Sequence, residues 1–270
     1  MYALDFEYDG RRLSDMGFII CDFNSSSGAD TISAGSTITF NTISRHSGKR
    51  FGLSSTKYED CIETSFHICK HPDTAEDMVI SDNEYRALMR WLNRREFKRF
   101  HIIDDENLLS RACYYDASFN ISRIEINKKL YGLELQMITN RPFGYGDAVE
   151  QQFEITDTSE KFDVIDISDE IGYIYPDMTI VCMQDGNLKI CNETLNYIME
   201  IKNCKASEEI KIYGDAQIII SSRDDHAIYN DFNFKFLRIG NSADSKINTM
   251  TSNMMCKLDI CYAPIIKGAP

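Results

Sequence analysis

The constraint that bears hardest on this chain is the scarcity of helical periodicity. Apolar residues recur at every second position in one short segment after another, with polar turns between them. Such alternation describes strands with one buried and one exposed face. Residues 36–40 and 62–68 alternate in this way, as do 131–137, and 117–126 does so through Phe119, Ile121, Ile124 and Ile126 with a single slip. The pattern continues in 162–167, 178–183, 188–191, 197–201, 208–213, 217–220, 232–239 and 257–262. Asp185-Gly186 and Gly240-Asn241 lie between apolar runs and read as hairpin turns. Many short strands at even spacing predict an all-β chain built of sandwiches or barrels.

One segment departs from this pattern. Ser81-Asp82-Asn83-Glu84 is a capping box, with serine at the N-cap and glutamate three residues on. It predicts a helix running to about Phe97. At 100° per residue, Tyr85, Leu88, Met89 and Leu92 share a face, and Trp91, the only tryptophan, sits at its edge. Arg86, Arg90 and Arg94 fall on the opposite face, extended by Arg95, Lys98 and Arg99. This stripe reads as a subunit interface facing an acidic neighbour, or as a contact with passing nucleic acid. The plain alternative is the solvated face of an amphipathic helix. The aromatic interleaving of single-strand binders is missing from that face.

At 270 residues the chain exceeds the usual domain size of ~100–200, which predicts two domains. Proline and two glycines interrupt the strand pattern across residues 141–147, placing an N-terminal domain at 1–142 and a second domain at 148–270. The final strand is free to return to the first domain. The net charge is −13, divided as −4 over residues 1–140 and −9 over 141–270. A chain so charged repels nucleic acid and anionic membranes, which argues against a specific nucleic-acid partner and against membrane insertion. No apolar run approaches the ~18 residues of a spanning helix, and no signal peptide opens the chain, so synthesis in a cytoplasm is expected. The nine cysteines are odd in number, lack a CxxC pair and fall partly inside apolar runs, which fits reduced, core-filling thiols. Residues 24–35 form one long loop of small polar residues, expected to order against a partner.

Constellations that carry chemistry are few. His67, Cys69 and His71 alternate and share a strand face, but they lack a fourth ligand. Asp163, Asp166, Asp169 and Glu170 form one acidic group and Asp224-Asp225-His226 another. Neither has calcium-loop spacing, and solvated loops account for both. Nucleophile-elbow, zinc-protease, phosphate-cradling and dinucleotide motifs are missing. No catalytic, metal or cofactor site is assigned.

The order of elements resembles the distal tail proteins of long-tailed (siphovirus-like) bacteriophages. The resemblance rests on Phe6-Glu7-Tyr8-Asp9-Gly10 with Leu13-Ser14-Asp15-Met16-Gly17, and on the capped helix through Trp91-Leu92 followed by residues 100–105. Residues 111–117, 141–145, 174–180 and 231–241 continue it. After Gly240 the family turns through a short proline-glycine-glutamate-asparagine type loop, whereas here residues 240–247 are longer and more polar. The resemblance implies a non-enzymatic virion protein without cofactors. Its N-terminal domain would be a β-sandwich or split barrel plus helix, six copies of which close into a homohexameric ring. Its C-terminal domain would be a galectin-like β-sandwich. The ring would join the tail tube to the tail tip or baseplate, contacting tail tube, tape measure and tail-associated proteins. Arg86, Arg90, Arg94, Asp104 and Asp105 are the interface candidates. Asp104, Asp105 and Glu106 are also candidates for a ring lumen that does not hold DNA. The competing classes are a carbohydrate-binding adhesin, for which Tyr173, Tyr175 and Trp91 are scattered in sequence, and a glycoside hydrolase, which needs two carboxylates facing across a cleft.

Overall fold

The computed structural model describes residues 5–23, 37–43, 52–103 and 113–267. The loop at 24–35 and the interface candidates Asp104 and Asp105, with Glu106, lie outside the described residues. The chain divides into two compact units, 1–146 with 266–270, and 147–265.

The first unit contains β1 (Asp5–Tyr8), β2 (Arg11–Arg12), β3 (Phe18–Cys21), β4 (Ile38–Ile43), β5 (Gly52–Tyr58), β6 (Glu63–Lys70), α1 (Asp82–Leu92), β7 (Lys98–Ile103), β8 (Tyr115–Ile126), β9 (Lys129–Thr139) and β10 (Gly144–Tyr145). Seven strands form one open antiparallel sheet in the order β2-β1-β7-β8-β9-β6-β3, while among the described residues β4 and β5 pair with each other as a separate hairpin. Helix α1 covers the sheet. Leu88, Trp91 and Leu92 are buried with Phe6, Tyr8, Phe100 and Phe119 in one aromatic-rich core. The Trp91 ring stacks on Phe6 with centroids 5.7 Å apart, and its Nε1 donates to the Tyr8 carbonyl at 2.9 Å. That bond satisfies the polar end of a buried indole. Trp91 is therefore central to the packed face rather than at its edge.

The capping box forms: Glu84 N donates to Ser81 Oγ at 3.4 Å, and the Glu84 carboxylate accepts from Ser81 N at 2.7 Å. The helix ends at Leu92, five residues before the expected Phe97. Side chains close its C-terminus. Asn93 Nδ2 donates to the Phe119 carbonyl, Arg94 Nε donates to the Trp91 carbonyl, and Ser118 Oγ donates to the Arg94 carbonyl. These bonds turn the chain out of the helix toward β7.

Two connections in the large sheet are two-residue turns with positive φ at both positions: Asp9-Gly10 between β1 and β2, and one without glycine between β8 and β9. Asn127 and Lys128 join β8 to β9 with φ of 49° and 63°. Positive φ at both central residues is the requirement of a type I′ hairpin turn, and asparagine tolerates it. The slip in the 117–126 alternation falls beside a bulge at Ile124/Glu125.

The second unit is a sandwich of two antiparallel sheets. Its elements are β11 (Val149–Ile155), β12 (Lys161–Ile165), β13 (Gly172–Ile174), β14 (Asp177–Cys182), β15 (Gly186–Asn192), β16 (Tyr197–Cys204), β17 (Glu209–Tyr213), β18 (Ile218–Ser221), the single-turn α2 (Ile228–Asp231), β19 (Ile239–Asn241), β20 (Ile247–Ser252) and β21 (Cys256–Tyr262). The orders are β11-β21-β14-β17-β18 and β12-β20-β15-β16, with β13 and β19 as a separate pair. Ile180, Ile210 and Leu258 from the first sheet meet Leu188, Met199 and Met250 from the second in one core. After β21 the chain forms β22 (Ile265–Ile266), which pairs with β10.

Three sequence expectations are corrected in this unit. Asp185-Gly186 is a crossover rather than a hairpin, because β14 and β15 belong to different sheets. Gly240-Asn241 lies within β19, paired with β13, and not in a turn. Residues 232–238 are not a strand, and only Ile239 of the expected segment belongs to one, β19. Phe234 has a φ of 54° and is 63% exposed, while Asn233 Oδ1 accepts from Lys235 N in a local turn. Phe232 and Phe236 are buried on either side of it, so the alternation has a turn as its cause.

Candidate interaction surfaces

Helix α1 presents Arg86 and Arg90 to solvent. Arg94 lies beyond the last helical residue, exposed, within 3.7 Å of the Asp9 carboxylate. The stripe goes no further. Lys98 and Arg99 belong to β7, where Lys98 pairs with Glu96 at 2.8 Å and the Arg99 guanidinium lies over the Tyr114 ring at 3.5 Å. The expected six-residue basic patch is thus two helix-surface arginines with Arg94 at their end, because the helix stops short.

The β4–β5 hairpin offers a different surface. Ile38 and Phe40 are two residues apart on one face, with Phe40 60% exposed. A two-stranded hairpin is marginal alone in water, and exposed aromatic area on it calls for a cover.

The residues that might have carried chemistry separate. His67 packs edge-on against Phe23, Cys69 is buried on β6 near Cys21, and His71 Nδ1 accepts from Asp73 N at 3.2 Å. Among the described residues, no three His, Cys, Asp or Glu side chains come together as a metal site. Asp163 accepts from Thr249 Oγ1 at 2.8 Å, and buried Asp166 accepts from Ser168 N at 2.9 Å. Both bonds hold loops and strands of the sandwich.

His226 is the exception. Its ring is buried, with Nδ1 bonded to Glu208 Oε1 and Nε2 2.9 Å from the Lys202 carbonyl. Glu208 is fully buried and also accepts from Ser221 Oγ at 2.6 Å and Lys205 N at 2.8 Å. Burial by itself would push the Glu208 carboxyl up, but His226, Ser221 and the Lys205 amide outweigh it, and the net shift is downward. Burial likewise disfavours the imidazolium, yet the bond and charge of Glu208 raise the His226 pKa above 6.5. The result is a buried ion pair that ties the β18–α2 connection to the start of β17. Beside it lies a cavity of about 220 Å³ whose lining includes Asn203, Lys205, Arg223 and Asp231. These polar groups pair mainly with one another, as Asn203 with Asp231 at 2.9 Å and Arg223 with Asp225. Glu208 had no local sequence signal, since it stands 18 residues before His226.

A last cluster joins residues distant in sequence. The Arg238 guanidinium lies 4.3 Å from the ring centroids of both Tyr173 and Tyr197. Of the aromatics weighed for a sugar platform, Trp91 is buried in the first unit and Tyr175 packs against the second core. Only Tyr173 is exposed.

The description "phage tail protein N-terminal domain" matches residues 1–141, and "phage tail C-terminal domain" matches residues 143–262. The chain belongs to this phage tail protein family. Its place is therefore the virion tail. No curated relative matches this tail protein by sequence. Among solved structures it is similar to the Dit (gp 19.1) protein of phage SPP1, with a TM-score of 0.69 at 11% identity, covering 97% of this chain and 99% of that one. That protein is described as a paradigm of the hub adsorption apparatus in phages infecting Gram-positive bacteria. At this identity the likeness establishes a shared fold.

Proposed function

We propose that this tail protein is a structural, non-enzymatic hub that assembles as a ring of six and joins the tail tube to the tail tip or baseplate. The observation that carries the reading is the extent of the likeness to the SPP1 hub protein, which runs through both units and nearly the full length of each chain. A closed ring needs a heterologous interface on each protomer, burying on the order of 1,000 Å² or more. The exposed Ile38–Phe40 face of the β4–β5 hairpin supplies apolar area suited to such a contact. Arg86, Arg90 and Arg94, with Asp104 and Asp105, remain the charged interface candidates. In this reading the second unit is a galectin-like sandwich, and the partners are the tail tube, tape measure and tail-associated proteins. Electron microscopy of the purified protein, with gold-labelled antibody on intact virions, tests this reading. A six-fold ring and label at the distal end of the tube are expected. Label spread along the tube, or on the capsid, would refute it.

A further inference from the structure

We propose that Arg238, held between Tyr173 and Tyr197, docks a carboxylate from an acidic, partly apolar segment of another tail protein. The guanidinium is preset. β13 pairs with β19 so that Tyr173 stands opposite Gly240, where an added Cβ would lie 3.5 Å from the Tyr173 ring. The backbone around Arg238 is fixed by two fully buried asparagines. Asn192 Nδ2 donates to the Arg238 carbonyl at 3.0 Å, and Asn248 exchanges bonds with Gly240 N and O at 2.8 and 2.9 Å. A donor on such a scaffold loses little freedom when a partner arrives.

The donor also lacks an acid partner among the described residues. Among the described residues no carboxylate pairs with Arg238, and its Nε is buried without an acceptor. A buried unpaired donor is costly, and both tyrosine rings lie against the guanidinium, so the carboxylate is expected at its terminal nitrogens. Lys235 Nζ, 5.9 Å from the Tyr197 ring, adds a second cation. These charges stand in a half of the chain that carries −9 overall. An Arg fork takes a planar carboxylate through two parallel bonds.

The surroundings favour a protein over a saccharide. Tyr173 is 55% exposed, and Ile171, two residues earlier and just before β13, is 60% exposed. Tyrosine, arginine and an aliphatic neighbour are the composition of a protein-interface centre. Ile171 offers no hydrogen bond to a sugar hydroxyl. The inference rests on membership in the tail protein family and is independent of the six-fold ring.

The test places photoreactive benzoyl-phenylalanine at Ile171 in otherwise complete phage tails, leaving the Tyr–Arg–Tyr stack intact. Irradiation is expected to give a discrete adduct with another tail protein, through a peptide containing Asp or Glu. Arg238→Gln should lower its yield by about tenfold or more, and Arg238→Lys by an intermediate factor, because lysine keeps charge without the fork. Lys257→Gln, which removes an exposed ion pair with Glu154, should leave the yield unchanged. Incorporation of each variant into tails is measured separately by mass spectrometry. No adduct, an adduct to saccharide, an adduct to a peptide without a carboxylate, or a yield indifferent to Arg238→Gln would overturn the proposal.

Discussion

Replacing Glu208 by glutamine removes a charge from the inside of the second unit while keeping its volume. Both carboxylate oxygens are occupied: Oε1 by His226 and Ser221, and Oε2 by the Lys205 amide. Glutamine has one acceptor oxygen, so one donor must face an NH₂ group, and His226 loses its buried counter-charge, keeping only Asp231 at 3.4 Å from Nε2. Breaking a buried pair by removing one partner costs about 3–5 kcal/mol, and a unit of this size loses roughly 4 °C of Tm per kcal/mol, giving a drop of roughly 12–20 °C. The pH dependence follows from the two directions of shift. His226 is raised above 6.5, so its contribution is complete below pH 6.5 and is lost as pH rises through the folded-state value. Glu208 is lowered below 4.5, so its contribution is complete above pH 4.5 and is lost as pH falls through its own folded-state value. The deficit of the glutamine variant should therefore be largest between pH 4.5 and 6.5 and should shrink on both sides. Calorimetry of the full chain from pH 3 to 9 measures it. A loss below about 1 kcal/mol, or a deficit that does not change with pH, would show that the pair is not ionised as described.

Trp91→Ala should destabilise the first unit by about 3–5 kcal/mol, since it empties a fully packed site and leaves the Tyr8 carbonyl without its donor; urea unfolding followed by far-UV circular dichroism checks this. Arg90→Glu should leave the monomer within about 0.5 kcal/mol of wild type in the same assay, because the side chain is exposed. Lys128→Gly should stabilise the β8–β9 turn by about 1 kcal/mol, because a φ of 63° strains a residue with a Cβ; an unchanged unfolding midpoint would count against the turn. In low-salt gel shifts the assembled protein should not retain DNA, and tight, salt-sensitive binding would instead put the arginines of α1 on the lumen wall.

Strands were legible where one face is wet and the other buried. Along β6, β8, β9 and β14 to β18, burial alternates closely enough for a period of two to survive in sequence. β13 has three residues, too few to show a period, and β1 is nearly as short. The false strand at 232–239 arose because Phe232, Phe234 and Phe236 alternate for a different reason: the middle one sits at the outside of a turn. Glycine-based turn signals failed at both Asp185-Gly186 and Gly240-Asn241, while the β8–β9 turn is written without glycine as Asn127-Lys128. The helix start was legible because a capping box is local chemistry. Its end was not, because two of the bonds that close it, Asn93 to Phe119 and Ser118 to Arg94, reach across to β8. Neither Glu208–His226 nor Tyr173–Arg238–Tyr197 leaves a local trace, since each is assembled by strand pairing between distant segments.

The central claim is the closed ring, and the mass of the full chain in solution tests it most directly. Light scattering across a concentration series should converge on six chains of 31.0 kDa each. Exchanging Phe40 for aspartate should shift that series toward single chains without unfolding either unit. A mass that stays at one chain at every concentration, or settles at a number other than six, would contradict the account.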